Sequence, residues 1–191
     1  MQLSWNISAP ILHAAPSGLQ GLQLMLLSLD EKTKDALVEF VTRSASNLEQ
    51  LEMSYCNVGD DLFAKLVDAV LNASTPALAV VNAMCSKLSD PAPLVKLLQG
   101  SAPISKLLVG GNDLNVDAAK AIAGVLAACK SLEELNLSHN KLGKTGTDAV
   151  IAAAKESGSL TYLQLHKTGL SKAQKEKIEA ALPATPTIEI M

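Results

Sequence analysis

Leucine and other aliphatic residues recur along this chain at one fixed spacing. In the clearest copy, from Leu132 to Leu142, apolar residues occupy the first, fourth, sixth and eleventh positions, and Asn140 occupies the ninth. Copies begin near residues 19, 48, 78, 104, 132 and 160, a period of about 28 residues that is typical of repeat architectures. Ile188 and Ile190 resemble the start of a seventh copy. Because one such unit cannot bury its own apolar face, the pattern predicts a stack of units.

The spacing inside each copy predicts a short strand followed by a buried polar side chain. In the segment 135–137, two leucines flank Asn136, so both leucines face one side of a strand and Asn136 faces the other. An Asn three residues after the strand can pair with backbone groups that burial would otherwise leave unsatisfied. The predicted ladder consists of Asn112 and Asn140, with smaller substitutes at Cys56, Ser86 and Thr168.

Between the predicted strands, apolar residues follow helical spacing, as Leu62, Phe63, Leu66, Val67 and Val70 do. Further helices are predicted over 36–41, 118–126, 144–156 and 171–182. A shorter helix is predicted over 94–99, because two nearby prolines delay its start. A strand and a returning helix in every unit predict an α/β solenoid with a parallel sheet.

A unit of this length with a full helix resembles the leucine-rich repeats of the ribonuclease-inhibitor-like subfamily. The segment from Leu132 to Gly146, followed by an Ala-rich helix, is close to the consensus of that subfamily. The resemblance covers about residues 19–191 and implies a right-handed solenoid arc of six to seven repeats, with the β-sheet on the concave face and α-helices on the convex face. Members include ribonuclease inhibitor, activators of Ran GTPase, NOD-like receptors, tropomodulins and CARMIL-type actin regulators. The resemblance is therefore specific for fold and unspecific for function.

Residues 1–18 do not fit the repeat. Leu3, Trp5 and Ile7 alternate as in a short strand, and Pro10 and Pro16 interrupt the segment that comes after it. A capping hairpin and the remnant of a preceding repeat are both open interpretations. We therefore expect an N-terminal cap or remnant over 1–18 and a repeat domain over 19–191, which is also compatible with a segment of a longer array.

Composition narrows the class of partner. The net charge of −3, with Lys and Arg scattered along the chain, gives no basic surface for nucleic acid or anionic membranes. No apolar run reaches the roughly 18 residues needed to cross a bilayer, and the first residues do not resemble a signal peptide. We expect a cytoplasmic protein with neither membrane nor nucleic-acid partners. The three cysteines are odd in number and are predicted to be reduced.

The candidate chemical groups do not combine into a catalytic or metal site. His139 and His166 occupy neighbouring positions of adjacent repeats, but further ligands are missing nearby, so we interpret them as surface histidines. The segment 110–112 follows a predicted strand as a phosphate loop does, without the rest of that motif. GTPase activation is disfavoured because Arg43 lies at a predicted helix end. We therefore expect a non-enzyme with no cofactor, no metal and no small-molecule substrate.

Residues that alternate with the buried leucines are expected to face the concave side. The middle of that surface is apolar, around Val80, Met84 and Leu108, and Tyr162 adds an aromatic anchor. We expect a protein partner there, with an actin- or cytoskeleton-associated regulatory scaffold, or a structural segment of a larger repeat protein, as the alternatives. The predicted partner-binding residues are Met25, Glu52, Val80, Asn82, Met84, Lys106, Leu108, Glu134, Asn136, Tyr162, Gln164 and His166.

Overall fold

The chain folds as a stack of strand–helix units. The structure, a computed structural model, describes residues 2–3, 8–179 and 187–190. The strands are β1 (Gln2–Leu3), β2 (Gly21–Met25), β3 (Gln50–Ser54), β4 (Val80–Asn82), β5 (Lys106–Leu108), β6 (Glu134–Asn136), β7 (Tyr162–Gln164) and β8 (Thr187–Glu189). The helices are α1 (Ala9–Ala14), α2 (Glu31–Ser44), α3 (Gly59–Leu71), α4 (Ala92–Gln99), α5 (Val116–Leu126), α6 (Gly143–Glu156) and α7 (Lys172–Glu179).

All eight strands lie in one parallel sheet, and their order in the sheet is their order in the chain. Each strand pairs with the next at the same repeat position, so Leu51 lies between Leu22 and Val81, and Leu135 between Leu107 and Leu163. The predicted parallel solenoid with a sheet on one side and helices on the other is therefore confirmed.

The core lies between the sheet and the helix layer. Two residues of each repeat strand segment point inward, as Leu135 and Leu137 do, and both are fully buried. The helices contribute the opposite wall, for example Phe40 of α2 and Ile122 of α5. Full burial of a leucine side chain contributes about 1.5–3 kcal/mol, so stacked aliphatic rows dominate the stability of the fold.

The helix boundaries follow local sequence signals. The Asp30 carboxylate accepts a hydrogen bond from the Thr33 amide at 2.8 Å and begins α2, and Asn115 caps α5 in the same way. α4 has eight residues, so the short helix predicted over 94–99 is confirmed, but it begins two residues earlier, at Ala92, with Pro93 in its first turn. α7 is described to Glu179, and the last residues of the predicted 171–182 helix lie outside the described part of the chain.

The predicted asparagine ladder is present. The Asn112 carbonyl oxygen accepts hydrogen bonds from the amides of Ser86 and Leu88 at 2.9 and 3.0 Å, and its side-chain NH2 donates to the Ala83 and Val109 carbonyls at 2.9 Å. Asn112 thus joins its own repeat to the preceding one. The smaller substitutes make fewer bonds: the Ser86 hydroxyl, for example, donates to the carbonyls of Met53 and Met84.

The N-terminal segment joins the solenoid in the same sense as the repeats. β1 pairs parallel to β2, as the repeat strands pair with one another, and the N-terminal cap or remnant over 1–18 stays a prediction. The Arg43 guanidinium of α2 lies 5.1 Å from the Phe40 ring centre and donates hydrogen bonds to the carbonyls of Leu12 and Ala15 at the end of α1. Trp5 and Ile7 lie outside the described residues, and the boundary at residue 18 stays a prediction.

Candidate protein-binding face

Three rows of side chains form the outer face of the sheet, which we call the concave face. The paired strand registers align equivalent positions of successive repeats. The first row contains Gly21, Gln50, Val80, Lys106, Glu134, Tyr162 and Thr187. The second contains Gln23, Glu52, Asn82, Leu108, Asn136, Gln164 and Glu189. Alternation along the chain adds the third row, Met25, Ser54, Met84, Gly110, Ser138 and His166.

At the N-terminal end of the concave face, a hydrogen-bonded polar pair lies beside an exposed methionine. The Gln23 amide donates to the Glu52 carboxylate at 3.1 Å and lies 3.4 Å from the Met25 sulfur. Met25 is 48% exposed, whereas Glu52 is half-buried. This end therefore offers an apolar side chain beside an anchored carboxylate.

The middle of the concave face is apolar and half-buried. Val80, Met84 and Leu108 are each partly covered by their neighbours, so they are less exposed than the sequence pattern suggested. Asn82 holds this region in place, since its carbonyl oxygen accepts the Met84 amide proton at 3.2 Å. At Gly110, a β-carbon would lie 3.0 Å from the Asn136 carbonyl oxygen and 3.4 Å from the Met84 methyl carbon. Glycine at this position therefore allows the Asn136 and Met84 side chains to pack closely over the strand end.

An ion pair follows the apolar centre. The Lys106 ammonium lies 2.9 Å from the Glu134 carboxylate in the next strand. The hydrogen bond to Glu134 raises the pKa of Lys106, so the ammonium form is favoured further. Lys106 is exposed and Glu134 half-buried, which makes the pair a fixed polar border on one side of the centre.

A hydrogen-bonded network covers the C-terminal end of the concave face. The Asn136 side chain donates to Gln164 at 2.8 Å, and Gln164 donates to the Tyr162 hydroxyl at 3.1 Å and to the Glu189 carboxylate at 3.4 Å. The His166 Nε2 atom lies 3.2 Å from the same carboxylate. Side chains thereby join β6, β7 and β8 in addition to the hydrogen bonds between their backbones.

Glu189 is the acceptor at the centre of this network. A hydrogen bond from Tyr162, with further ones from Gln164 and His166, lowers the pKa of Glu189. The same bond to Glu189 raises the pKa of Tyr162. At neutral pH the network therefore holds an ionised carboxylate and a neutral phenol.

The sequence-predicted residues thus share one face but differ in what they offer a partner. Asn136 is only 8% exposed, and its amide is used by Gln164 and by the Ser138 amide, so it positions neighbours rather than presenting a surface. Glu189 was missed, although its place between Ile188 and Ile190 carried the alternation that identifies a face residue. The exposed apolar side chains of Leu26 and Tyr55 were also not predicted as surface residues, because the two residues lie just beyond the strands.

The remaining chemical candidates do not form a site. The backbone amide of His139 donates to the His166 carbonyl at 2.6 Å. Of these two histidines, His166 has its imidazole beside a carboxylate, that of Glu189. No group of three or more His, Cys, Asp or Glu side chains suited to a metal is found among the described residues. The three cysteines are free thiols. In the described part of the chain, no helix is both long and apolar enough to cross a membrane.

Comparison with known proteins agrees with the repeat and the fold. The family profile described as Leucine Rich repeat matches residues 44–61 and 128–150. This chain is a leucine-rich-repeat protein. It is 33% identical over 98 residues to RAN GTPase-activating protein 2 of Arabidopsis thaliana, a match that covers 51% of the leucine-rich-repeat chain and 16% of that protein.

Solved structures are similar to the leucine-rich-repeat chain in fold. The tropomodulin C-terminal domain of Caenorhabditis elegans has a TM-score of 0.59 at 15% identity, covering 78% of this chain and 90% of that domain. Leiomodin-1 Actin-Binding Site 2 has a TM-score of 0.49 at 14% identity, and the match covers 82% of this chain and 78% of that one. At the identity of the tropomodulin domain, the likeness shows a shared architecture.

Proposed function

We propose that this leucine-rich-repeat protein is a non-catalytic module that binds a protein partner through its concave face. The observation that carries the proposal is the apolar centre of Val80, Met84 and Leu108, bordered by the Lys106–Glu134 ion pair. An apolar centre with a polar border is the usual anatomy of a protein interface. Eight strands spaced about 4.8 Å apart give a surface of about 34 Å, enough for one helix or the edge of a small domain.

The electrostatics of the face support binding rather than catalysis. A general base needs a pKa raised towards neutrality, whereas hydrogen bonds lower the pKa of Glu189. A lysine nucleophile needs a lowered pKa, whereas the ion pair raises the pKa of Lys106. These groups are arranged to stay charged and fixed, which suits orientation of a partner.

Differential capture tests this proposal. The immobilised wild-type chain is compared with a concave variant (Met84→Ala, Leu108→Ala, Tyr162→Ala) and with a convex variant (Ile11→Ala, Lys120→Ala, Lys155→Ala) after incubation in cell extract. We expect proteins that bind the wild type to be lost from the concave variant and retained by the convex variant. Loss from the convex variant alone would place binding on the helices and refute the proposal.

An actin-associated regulatory scaffold is the second candidate. The tropomodulin domain has the same architecture, and a cytoskeletal scaffold is compatible with a non-catalytic concave face. Co-sedimentation with actin filaments distinguishes the two candidates. The actin-associated role is favoured if the wild-type chain pellets with actin and the concave variant does not. A chain that stays in the supernatant at every actin concentration excludes direct filament binding.

GTPase activation is the role that the relative's name raises. Arg43, the sole arginine of the chain, donates its guanidinium hydrogen bonds to the end of α1, so it is engaged inside the fold. We expect no acceleration of GTP hydrolysis by Ran when this chain is added. Acceleration by the wild-type chain would contradict the non-catalytic proposal, and its loss in Arg43→Lys would assign the effect to Arg43.

A further inference from the structure

One backbone position in each repeat adopts a left-handed conformation. This position directly precedes the ladder position, where the chain leaves the strand for the helix layer. Its backbone amide continues the hydrogen bonding between repeats: the Leu26 amide, for example, donates to the Ser54 carbonyl at 3.1 Å. The six residues, with their φ values, are Leu26 (56°), Tyr55 (57°), Cys85 (53°), Gly111 (71°), His139 (56°) and Lys167 (51°).

Bulky residues are disfavoured at this position. In the left-handed region a β-carbon approaches the following carbonyl oxygen, which is why glycine is the usual occupant and a bulky side chain an outlier. Only one of the six residues is glycine. Leu26 is 75% exposed and Tyr55 is 55% exposed, so burial does not compensate for their backbone strain. Their side chains are thus unfavourable for the isolated fold, which is typical of residues kept for binding.

The two strained residues form part of one apolar strip. Met25 directly precedes Leu26, and the Leu26 amide is bonded to the carbonyl that directly precedes Tyr55. The Tyr55 amide in turn donates to the carbonyl of Met84 in the next repeat at 2.9 Å. Met25, Leu26 and Tyr55 are, with Ile11 of α1, the large hydrophobic side chains exposed among the described residues. We call Met25, Leu26 and Tyr55 the apolar edge.

An acidic cleft adjoins the apolar edge. It has a volume of about 460 Å³ and begins at Asn57, two residues after Tyr55, between the first turns of α2 and α3. Its carboxylates outnumber its ammonium groups four to two, and Lys34 is already paired with Glu31 at 2.7 Å. The lining carboxylates are Glu31, Asp35, Asp60 and Asp61.

The cleft is anionic at neutral pH. Burial raises the pKa of Asp60, but hydrogen bonds from Ser89 and from the Asp90 amide outweigh it, and the net effect lowers that pKa. Asp35 and Asp61 are exposed at the same cleft. A partner that brings cations beside apolar side chains would therefore complement both features.

We propose that the apolar edge and the acidic cleft together bind an amphipathic helix of a protein partner that carries Lys or Arg beside its apolar stripe. The apolar side chains of the helix pack on Leu26 and Tyr55, and its cations lie at Asp35 and Asp61. This second surface lies at the end of the strands, outside the concave apolar centre, and it stands whether or not the concave face binds a partner.

A synthetic peptide tests the proposal directly. The probe is a fluorescent amphipathic Leu/Lys peptide of about 18 residues, long enough to form a helix. Fluorescence anisotropy with the full chain should show binding that weakens as salt is added. The double variant Leu26→Gly, Tyr55→Gly should weaken binding at least about tenfold, as expected when two apolar anchors are lost. Asp35→Asn with Asp61→Asn should weaken binding and flatten its salt dependence.

The matched controls separate this surface from general adhesion. Ile11→Ala removes an exposed apolar side chain elsewhere and should leave affinity unchanged, and a Leu/Glu peptide should not bind. Leu26→Gly should also raise Tm, by about 2 °C, because it relieves backbone strain. A fall in Tm would show that Leu26 is needed for folding and overturn the proposal.

Two other outcomes would overturn it. Equal peptide affinity for the wild type and the Leu26→Gly, Tyr55→Gly variant would show that the apolar edge is not the binding surface. Concentration-dependent dimerisation that the same variant abolishes, with no peptide binding, would make a second copy of this chain the occupant.

Discussion

At the residue scale, Asn112 is the clearest link between sequence and fold. Its side chain accepts hydrogen bonds from the Ser86 and Leu88 amides and donates to the Ala83 and Val109 carbonyls, and so joins two repeats. A buried backbone group that loses such a partner costs about 1–3 kcal/mol. The ladder is therefore a polar requirement inside an otherwise aliphatic core.

Replacing Asn112 tests this view. Asn112→Ala should lower the free energy of unfolding by about 2–4 kcal/mol, because several buried backbone groups lose their partners together. Urea unfolding measures the change. Asn72→Ala, at the exposed end of α3, is the control and should change stability by less than about 0.5 kcal/mol. Equal effects of the two substitutions would mean that the ladder does not stabilise the fold.

The structural role of some residues could be predicted from the sequence alone, and that of others could not. The ladder was predictable because a fixed spacing after the strand identifies it, and the buried leucines were predictable because they alternate. The left-handed residues were not, since Leu26 and Tyr55 are residues that ordinarily avoid that conformation. Nor did the pattern show that Met84 is half-buried, because that depends on how its side chain lies over Gly110.

At the scale of the elements, helix α6 packs closely on α5 at Gly146. A β-carbon at Gly146 would lie 2.8 Å from the Ala119 β-carbon and 3.3 Å from the Val116 α-carbon. A β-carbon added at Gly124, in α5, would instead lie in open space. Two helical glycines of the chain therefore have opposite roles.

Substituting the two glycines should change stability in opposite directions. Gly146→Val should destabilise the chain by about 2–3 kcal/mol, because the added carbons force α5 and α6 apart. Gly124→Ala should stabilise it by about 0.5–1 kcal/mol through helix propensity. Thermal unfolding of both variants measures this. A neutral Gly146→Val would indicate a wider spacing between the helices.

Strand β8 is predicted to respond to pH through Glu189. The backbone carbonyl of Glu189 accepts a hydrogen bond from the Leu165 amide at 2.8 Å. Its carboxylate accepts hydrogen bonds from the Tyr162 and Gln164 side chains of β7. Since folding lowers the pKa of Glu189 from its ordinary value of 4.5, the carboxylate stabilises β8 above that pH and loses this effect as pH falls through the lowered pKa.

An NMR titration of backbone amides tests the pH response. The Leu165 amide shift should change as the solution is acidified below about pH 4.5, whereas the Leu137 amide, bonded to the Gln164 carbonyl inside the sheet, serves as the internal control. In Glu189→Gln the acid-dependent change should disappear. A Leu165 change that persists in that variant would assign it to another group.

At the scale of the whole molecule, the sequence was most informative about architecture and least about partners. Repeat spacing predicts the parallel sheet and helix layer because every unit must bury its apolar side against the next. The face residues are free to vary, since they point away from that core, so their types do not identify a ligand. The match to the Ran GTPase-activating protein spans 16% of that protein.

Calorimetric affinity for a captured partner tests the central claim most directly. The concave variant, Met84→Ala with Leu108→Ala and Tyr162→Ala, truncates two of the three side chains of the apolar centre and the aromatic side chain of β7, while leaving the edge residues Leu26 and Tyr55 intact. If each of the three anchors contributes on the order of 1–2 kcal/mol, the Kd should rise at least about a hundredfold. Tm should fall somewhat, because Met84 and Leu108 are half-buried, and circular dichroism should show that the variant stays folded. The convex variant should bind as the wild type does. An unchanged Kd for the concave variant, together with a weakened convex variant, would contradict the account.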